Sequence, residues 1–253
     1  MVNKLENQTV VIIGGTSGIG LGVAKHVLET TEANVVVASS KPERVEKALH
    51  SLSAIDPHRI KAHVLDVSAP NLEAALTAFY DSVGPFNHLV FTAGDAGFTF
   101  MKIDQFTRSA AESIFNVRHW ALLECIKQAV PRMPTERTSS ITFTSSTLSQ
   151  RPAPGWVLTG ASVTGALESL SRGLALDLAP IRVNCIAAGV VNTELWSWLE
   201  EGARTTLFEN YSKKFLTGSV GEPDEIAEAF GYLIRCNYVT GQSLTVDGGA
   251  VLV

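Results

Sequence analysis

Residues 9–27 read TVVIIGGTSGIGLGVAKHV, and this stretch decides the fold. A β-branched run typical of a buried strand leads into a glycine-rich turn, and an amphipathic helical pattern follows the turn. Gly14, Gly18 and Gly20 stand where a strand must turn sharply, where backbone must approach a pyrophosphate, and where a helix must pack tightly on a sheet. Glycines also mark ordinary turns, but the strand before them and the helix after them favour a phosphate site at the amino end of the helix. We therefore predict a dinucleotide-binding unit.

The composition indicates one large globular domain. The chain has 253 residues, of which 45% are hydrophobic, enough for a sheet covered on both faces. The net charge is −5 and there is no basic run, so we expect neither nucleic acid nor a membrane as a partner. Cys125, Cys185 and Cys236 lie far apart in apolar segments, which predicts reduced core thiols and no metal site. The amino-terminal residues lack an apolar signal core and no apolar run could span a membrane, which favours a cytoplasmic protein.

Strand-like and helical patterns alternate along the whole chain. This alternation predicts one α/β domain over residues 1–253, with a Rossmann-like, doubly wound parallel sheet. Ligands of such sheets bind beyond the carboxyl ends of the strands. The predicted strands are 10–13, 34–38, 60–65, 88–92, 140–144, 182–187 and 243–246. The predicted helices are 21–29, 43–52, 72–83, 109–130, 162–178 and 223–234.

The end of the second predicted strand indicates the cofactor. An NAD site usually has an acid there for the ribose hydroxyls, whereas a 2′-phosphate needs the acid absent and a cation nearby. This chain has Ser39, Ser40, Lys41 and Arg44, and no acid. The two cations could simply begin a solvated helix, but together with the missing acid they favour NADP(H). Asp66, which ends the third strand, is placed to touch the adenine.

Several short motifs follow one another along the chain. They are GGTSGIG at 14–20, LDV at 65–67, TAG at 92–94, Asn116 in the long helix, TSS at 144–146, IRVNCIAAGVVNT at 181–193 and TGQSLTVDGG at 240–249. In these motifs the chain resembles the short-chain dehydrogenase/reductases over nearly its full length. The resemblance implies a seven-stranded parallel sheet, an NADP(H)-dependent oxidoreductase, and a homodimer or homotetramer.

The resemblance also implies a set of cofactor contacts. The backbone of Val191 would bind the nicotinamide carboxamide, Thr193 would reach the pyrophosphate or the carboxamide, and Ala93 and Gly94 would line the path of the adenosine and ribose. The full set of predicted cofactor-binding residues is Gly14, Thr16, Ser17, Gly18, Ile19, Gly20, Ser39, Ser40, Lys41, Arg44, Asp66, Val67, Thr92, Ala93, Gly94, Gly189, Val191 and Thr193.

The chain departs from the family in the helix that should carry Tyr-x-x-x-Lys. In typical members the tyrosine exchanges the carbonyl proton, the lysine lowers its pKa and holds the ribose, and a serine polarises the substrate oxygen. Residues 158–180 here read LTGASVTGALESLSRGLALDLAP. One alignment puts Gly160 and Thr164 at the tyrosine and lysine positions, and a shift by one residue gives Thr159 and Val163 instead. Neither register supplies the pair.

The missing pair disfavours ordinary ketone reduction. Hydride addition to a carbonyl develops an alkoxide, and general acid assistance typically contributes about 10²- to 10⁴-fold to that step. Ser146 can donate a hydrogen bond but hardly acts alone as the acid. An iminium carbon becomes a neutral amine on reduction, and water can protonate a reduced activated alkene, so either acceptor suits a site without a proton donor.

The substrate pocket is predicted from Asn116, Ser146, Arg118 and Trp156. Arg118 follows Asn116 on the helix that backs the active site in the family, although a solvated helix charge is an equally good interpretation. Trp156 lies in the loop before the altered helix and could wall a hydrophobic substrate. Trp196 and Trp198 lie in the segment after Thr193, which forms a substrate lid in the family, and we expect at least one of them to meet substrate or a neighbouring subunit.

A narrower group within the family is also similar to this chain. Reductase-derived proteins of fungal prenylated indole alkaloid pathways lack the tyrosine and lysine, reduce an imine or iminium with NADPH, and then hold the product for an intramolecular [4+2] cycloaddition. An arginine and a tryptophan at the positions of Arg118 and Trp156 line their pocket, and an acid in the same loop assists. This chain has no acid between Ser146 and Thr164. A cycloaddition needs only a folded substrate conformer, so it stays compatible with the sequence. The alternative is a non-catalytic, cofactor-binding interaction or sensing protein.

Overall fold

A computed structural model of the chain describes residues 4–94 and 101–253 and places seven parallel strands in one sheet, in the order β3-β2-β1-β4-β5-β6-β7. The predicted fold class is confirmed. The strands are β1 (Thr9–Ile13), β2 (Asn34–Ser39), β3 (Ile60–Val64), β4 (His88–Phe91), β5 (Ser140–Ser146), β6 (Arg182–Ala188) and β7 (Ser243–Val246). The helices are α1 (Gly18–Thr30), α2 (Pro42–Ser53), α3 (Leu72–Val83), α4 (Arg108–Phe115), α5 (Leu122–Ala129), α6 (Gly165–Asp177), α7 (Glu201–Ser212) and α8 (Pro223–Arg235).

The sheet is buried on both faces, as its apolar strands require. Along β1, Val11 and Ile13 belong to one hydrophobic cluster, while Val10 and Ile12 belong to the other. This alternation follows from the two-residue period of a strand, which sends successive side chains to opposite faces. Helices α1 and α8 supply most of the helical residues of the second cluster, and α3 and α5 supply most of those of the first. A strand that is apolar on both faces is stable only between two layers of helices.

The winding of the sheet reverses between β1 and β4. Strand β1 pairs with β2 on one side and with β4 on the other, and all of these pairs are parallel. The chain therefore runs outward from β1 to β3 and then returns to continue on the other side. Helices must leave opposite faces at such a reversal, and a crevice opens at the carboxyl ends of the two strands. This crevice is where the fold places a ligand.

Two segments are π-helical. The predicted helix 109–130 covers the first of them, whereas the predicted helix 162–178 covers only the last three residues of the second. Residues Asn116–Ala121 separate α4 from α5, and residues Val157–Thr164 lead into α6. A π-helical turn spans one residue more than an α-helical turn, and it occurs frequently at functional sites. The first segment contains Asn116 and Arg118, and the second contains the residues aligned with Tyr-x-x-x-Lys.

Helix α7 is not among the predicted helices. None of its residues is buried, so it lacks the apolar stripe on which a helix prediction depends. The predicted helix 223–234, in contrast, agrees with α8, whose inner face is buried. Within the described part of the chain, no helix combines the length and the apolar character that a bilayer crossing requires.

Candidate active site

A cleft of about 450 Å³ lies at the carboxyl ends of the central strands, where the sheet reverses. It gathers residues from six of the seven motifs picked out in the sequence. The predicted site residues that line it are Gly14, Ser17, Gly18, Ile19, Gly20, Ser39, Ser40, Arg44, Asp66, Val67, Thr92, Ala93, Gly94, Asn116, Arg118 and Thr193.

Three glycines form the floor of the cleft where β1 passes into α1. Gly14 has φ +88°, and a Cβ on it would lie 2.5 Å from the backbone nitrogen of Ala93. A Cβ on Gly20 would lie 2.3 Å from the carbonyl oxygen of Gly14. Gly18 has φ +49° and faces Thr193, whose Cγ2 is 3.1 Å from the position of a Gly18 Cβ. Any side chain here would push two strands apart or fill the cleft, so the backbone itself is the binding surface.

The amino end of α1 is open toward the cleft. Ser17 is the N-cap residue, with extended backbone and no side-chain capping hydrogen bond, and the first turn of the helix carries no acid. The unpaired N–H groups of a first turn and the helix dipole both favour an anion. A phosphate oxygen placed here would accept hydrogen bonds from these N–H groups, for which the Ser17 side chain provides no acceptor.

The far end of the cleft is lined by Ser39, Ser40 and Arg44. Lys41, which was predicted beside them, is not among the lining residues. It is the N-cap residue of α2, and its carbonyl oxygen accepts from the backbone nitrogens of Arg44 and Val45. The first turn of α2 thus carries Arg44 back over the cleft, while the exposed Lys41 side chain stands outside it.

The substrate end of the cleft, as we call it, is lined by Gly94, Ser113, Asn116, Arg118 and Thr144. The guanidinium of Arg118 packs on Gly94, because a Cβ there would lie 2.8 Å from Nη2. The hydroxyl oxygen of Thr144 is buried and has no hydrogen-bond partner among residues 4–94 and 101–253. A buried hydroxyl without a partner is costly unless a ligand or a water completes it.

Two predicted pocket residues do not line the cleft. The Ser146 hydroxyl accepts a hydrogen bond from the backbone nitrogen of Leu148 at 3.3 Å and so caps a 3-10 turn. Trp156 is half-buried and forms an isolated parallel bridge with Met101, whose nitrogen donates to the Gly155 carbonyl at 2.8 Å. Both residues border the π-helical segment that follows, rather than the cleft itself.

Three predicted cofactor residues also lie behind the cleft wall. Thr16 is buried beneath the glycine turn. Gly189 approaches Asp247 so closely that a Cβ would lie 2.8 Å from its Cα. Val191 is buried and bridges to Gly221. Their backbone shapes the wall on which Thr193 stands.

The segment aligned with Tyr-x-x-x-Lys is the π-helix Val157–Thr164. Gly160 presses on Leu148, since a Cβ on it would lie 2.9 Å from the Leu148 Cβ. Thr164 is buried, its hydroxyl donates to the Gly160 carbonyl, and its own carbonyl accepts from the Ser145 hydroxyl at 3.1 Å.

The alternative register, with Thr159 and Val163, also supplies no proton donor. Val163 lies in the hydrophobic core, and the side chain of Thr159 falls outside the described part of the structure. The two registers differ by one residue, and one residue is what a π-helical turn adds to an α-helical one. The sequence has no tyrosine or lysine between Lys127 and Tyr211, so neither register can place one here.

Two acids that the sequence analysis did not predict as site residues lie in the cleft or against the loop that follows Ser146. Glu194 and two neighbours, Leu195 and Ser197, line the cleft opposite α1. Their position directly after Thr193 was the only sequence signal for them. Glu168, one turn into α6, contacts the Ser149 hydroxyl, so an acid does reach the loop that follows Ser146. It does so from beyond Thr164, and a search restricted to the loop could not find it.

The two tryptophans of the predicted lid have different surroundings. The indole N–H of Trp196 donates to the Val191 carbonyl at 3.0 Å, and the ring packs edge-on against Phe208 of α7, with 6.0 Å between ring centroids. Trp198 is 53% exposed. Trp196 therefore anchors the segment, whereas Trp198 is the one available to a partner molecule.

Neighbouring histidines do not supply the missing acid. His119, next to Arg118, has a buried Nδ1 with no hydrogen-bond partner in the part of the chain that the structure describes, and burial lowers its pKa. The imidazole is consequently neutral near pH 7 and donates no proton there. Within the described residues, no group of three or more His, Cys, Asp or Glu side chains is arranged to hold a metal ion.

Comparison with known proteins agrees with this geometry. A family model described as an SDR-like Rossmann domain matches residues 1–253. A short-chain dehydrogenase/reductase from an Acremonium species is 35% identical over 260 residues, which cover 99% of this chain and 97% of the relative. The solved structure of the MalC reductase/Diels-Alderase from Malbranchea aurantiaca is 31% identical, with a TM-score of 0.89 and 99% of each chain covered. An NADPH-bound short-chain oxidoreductase from Pseudomonas aeruginosa PAO1, described as containing an atypical catalytic center, is 26% identical, with a TM-score of 0.88 and 98% of each chain covered.

Proposed function

The chain belongs to the short-chain dehydrogenase/reductase family, and we propose that it is an NADP(H)-dependent reductase of specialised metabolism that acts on an iminium or an activated double bond of a bulky hydrophobic substrate. One observation carries the proposal: the cleft keeps its glycine floor, while Gly160 and Thr164 occupy the places aligned with the proton-donating pair. The chain thus keeps the backbone surface that suits a cofactor and lacks the side chains on which ordinary ketone reduction depends.

NADP(H) fits the residues that line the cleft. The glycine floor and the uncapped, acid-free amino end of α1 suit a pyrophosphate. Ser39 and Arg44 at the far end suit a 2′-phosphate, because the hydroxyl and the guanidinium donate hydrogen bonds and no acid ends β2 to repel it. NADPH-bound relatives of the same fold support this assignment.

The residues at the substrate end would position the hydride acceptor and exclude water from it, and they would transfer no proton. When bound, NADPH supplies a hydride from its nicotinamide ring. Asn116, Arg118 and the buried Thr144 hydroxyl offer hydrogen-bond donors at that end, which orient a polar group of the acceptor. The Ser146 hydroxyl oxygen already accepts a hydrogen bond from the Leu148 nitrogen. Trp156 is held in its bridge with Met101 and would wall the substrate only if that bridge opened.

The relationship to MalC supports a second activity at the same site. That relative is called a reductase/Diels-Alderase, and it is similar to this chain over nearly the whole length of both. We propose that the cleft also folds the reduced product for an intramolecular [4+2] cycloaddition. This step requires a shaped pocket and no proton donor, so it is consistent with the loss of the pair.

A labelled cofactor tests the reductase. The protein is incubated with NADPH deuterated at the transferable position and with cyclic iminium compounds, activated alkenes and simple ketones, and products are analysed by mass spectrometry. We expect deuterium in the reduced iminium or alkene and none from the ketones. Binding of NADPH without turnover across the panel would favour the non-catalytic alternative, an interaction or sensing protein.

We further propose that the protein works in the cytoplasm as a homodimer or homotetramer. Trp120 and Leu176 are 52% and 81% exposed on the outer faces of their helical segments, and large exposed apolar side chains commonly mark a contact surface. Light scattering coupled to size-exclusion chromatography tests the oligomeric state.

A further inference from the structure

An acid of the lid segment lies against the phosphate-binding end of α1. A Cβ on Gly18 would be 3.5 Å from the Glu194 Oε2, and both residues line the cleft. The first turn of α1 has no acid of its own and no side-chain cap. The Glu194 carboxylate therefore places a negative charge beside the positive end of this helix dipole.

The position of Glu194 is held by contacts on either side of it. Thr193 before it rests on Gly18 and accepts a hydrogen bond from the Leu195 nitrogen, which starts the 3-10 turn Glu194–Trp196. At the other end of this turn, the Trp196 indole donates to the Val191 carbonyl at 3.0 Å. The carboxylate is thus carried by an anchored turn rather than by a free surface loop.

The same turn is connected to the lid helix. Trp196 packs edge-on against Phe208 of α7, and α7 itself buries none of its residues. A helix without fully buried side chains owes little of its position to a core, so the Trp196 contact is one of the contacts that hold it. A displacement of the 3-10 turn would be passed to α7 through this ring.

We infer that Glu194 is a built-in anion that competes with the cofactor pyrophosphate for the amino end of α1, and that its displacement couples cofactor binding to movement of the lid. This inference rests on the proposed function, since it assumes that NADP(H) binds in the cleft. A pyrophosphate brings further negative charge to a place already facing a carboxylate, so binding must push Glu194 and its turn aside. Glu194 therefore lowers cofactor affinity and makes lid position depend on occupancy.

The Glu194→Gln variant tests the competition. The substitution keeps the shape and removes the charge, so the dissociation constant of NADPH should fall by roughly 3- to 10-fold at low salt, the size expected for one charge near a helix end and a phosphate. The gain should shrink at about 0.5 M salt because the repulsion is screened. Glu209→Gln, on the exposed surface of α7 and away from the cleft, is the matched control and should bind as the wild type does.

The Trp196→Phe variant tests the coupling. It keeps a ring against Phe208 and removes the N–H that Val191 accepts. In the cofactor-free protein, trypsin should cut after Arg204, Lys213 or Lys214 several-fold faster than in the wild type, whereas Trp198→Phe should leave the rate unchanged. Equal cutting of the two variants would overturn the coupling.

The failure of this inference is distinguishable from failure of the proposed function. If the wild type takes up no NADPH in a direct binding assay, the proposed function is lost. If the wild type binds NADPH and Glu194→Gln binds it equally well or more weakly, the cofactor site stands and the competition by Glu194 is refuted.

Discussion

The hydroxyl of Thr164 donates to the carbonyl of Gly160, so the two positions aligned with the family's lysine and tyrosine are bonded to each other. Neither points into the cleft, because Thr164 is buried and Gly160 rests on Leu148. The packing of this segment therefore leaves no exposed side chain at either of the two positions.

Restoring the pair by substitution should fail. We predict that Gly160→Tyr/Thr164→Lys gains no ketone reductase activity, because the tyrosine meets Leu148 and the lysine starts from a buried position. The measurement is NADPH oxidation with a panel of simple ketones. Turnover above the wild-type background would show that the segment can open and would contradict the packing argument.

The contact at Gly160 should also be visible in stability. Gly160→Ala adds a Cβ 2.9 Å from the Leu148 Cβ, and we expect a loss of about 1–3 kcal/mol in the free energy of urea-induced unfolding. Gly173→Ala in α6 is the control, since a Cβ there meets nothing within 4 Å. Alanine is the better helix former, so this control should gain about 1 kcal/mol. A stabilising effect at both sites would refute the contact.

Gly18 offers a test of the pyrophosphate site. We predict that Gly18→Val raises the dissociation constant of NADPH by roughly 100-fold, as expected when about two charge-assisted hydrogen bonds are lost. Gly84→Val is the control: Gly84 also has a positive φ, at +78°, but its Cβ would meet nothing within 4 Å and lies away from the cleft. It should cost stability and leave NADPH affinity intact. Unchanged affinity in Gly18→Val would remove the pyrophosphate from this turn.

Arg44, rather than Lys41, should decide between the two cofactors. Arg44 lines the cleft and Lys41 does not, so Arg44→Ala should weaken NADPH roughly 10- to 100-fold and leave NADH nearly unchanged. Lys41→Ala should have a much smaller effect on either cofactor. Isothermal titration with both cofactors checks this, and equal losses for NADPH and NADH would speak against a 2′-phosphate contact.

His88 makes stability depend on pH. Its Nδ1 is 2.8 Å from the Ser140 hydroxyl and its Nε2 is 2.7 Å from the Gln8 amide oxygen, and burial lowers its pKa to about 3. In the unfolded chain the His88 imidazole has a pKa near 6.5, so below that pH it binds a proton that the folded protein does not bind. Stability from this residue is thus complete above pH 6.5 and falls as the pH drops toward 3, by about 1.4 kcal/mol per unit.

Urea unfolding between pH 7.5 and 4.5 measures this slope. Other buried histidines, among them His26, add to it, so the informative quantity is a difference between variants. His88→Gln should be less stable at pH 7.5 and show a shallower slope than the wild type. His50→Gln, on the exposed side of α2, should keep the wild-type slope, and a matching slope in His88→Gln would refute the assignment.

The fold and the cofactor end of the site could be predicted because their signals are local. The glycines of residues 14–20 impose backbone that no other residue tolerates, and the alternation of strands and helices follows from side-chain period. What could not be predicted depends on distant contacts. The choice between Lys41 and Arg44 follows from where α2 begins, and Glu194 reaches Gly18 only through the folded position of its turn.

The substrate end was harder to predict for a similar reason. The family resemblance suggested Ser146 and Trp156, because it supplies positions in the sequence but not side-chain rotamers or bridges. The structure instead brings Thr144 to the cleft and holds Trp156 beside Met101. Whether Ser146 and Trp156 meet substrate stays a prediction, as do the roles of Asn116 and Arg118.

The π-helix Val157–Thr164 makes a return to ketone reduction depend on the number of residues in this segment as well as on their identity. A π-helical turn takes up one residue more than an α-helical turn, so the residues before α6 stand at a different angle about the helix axis from the one that an uninterrupted α-helix would give them. We therefore expect that deleting one residue from this segment, before tyrosine and lysine are introduced at the two aligned positions, brings the enzyme closer to ketone reduction than the two substitutions alone.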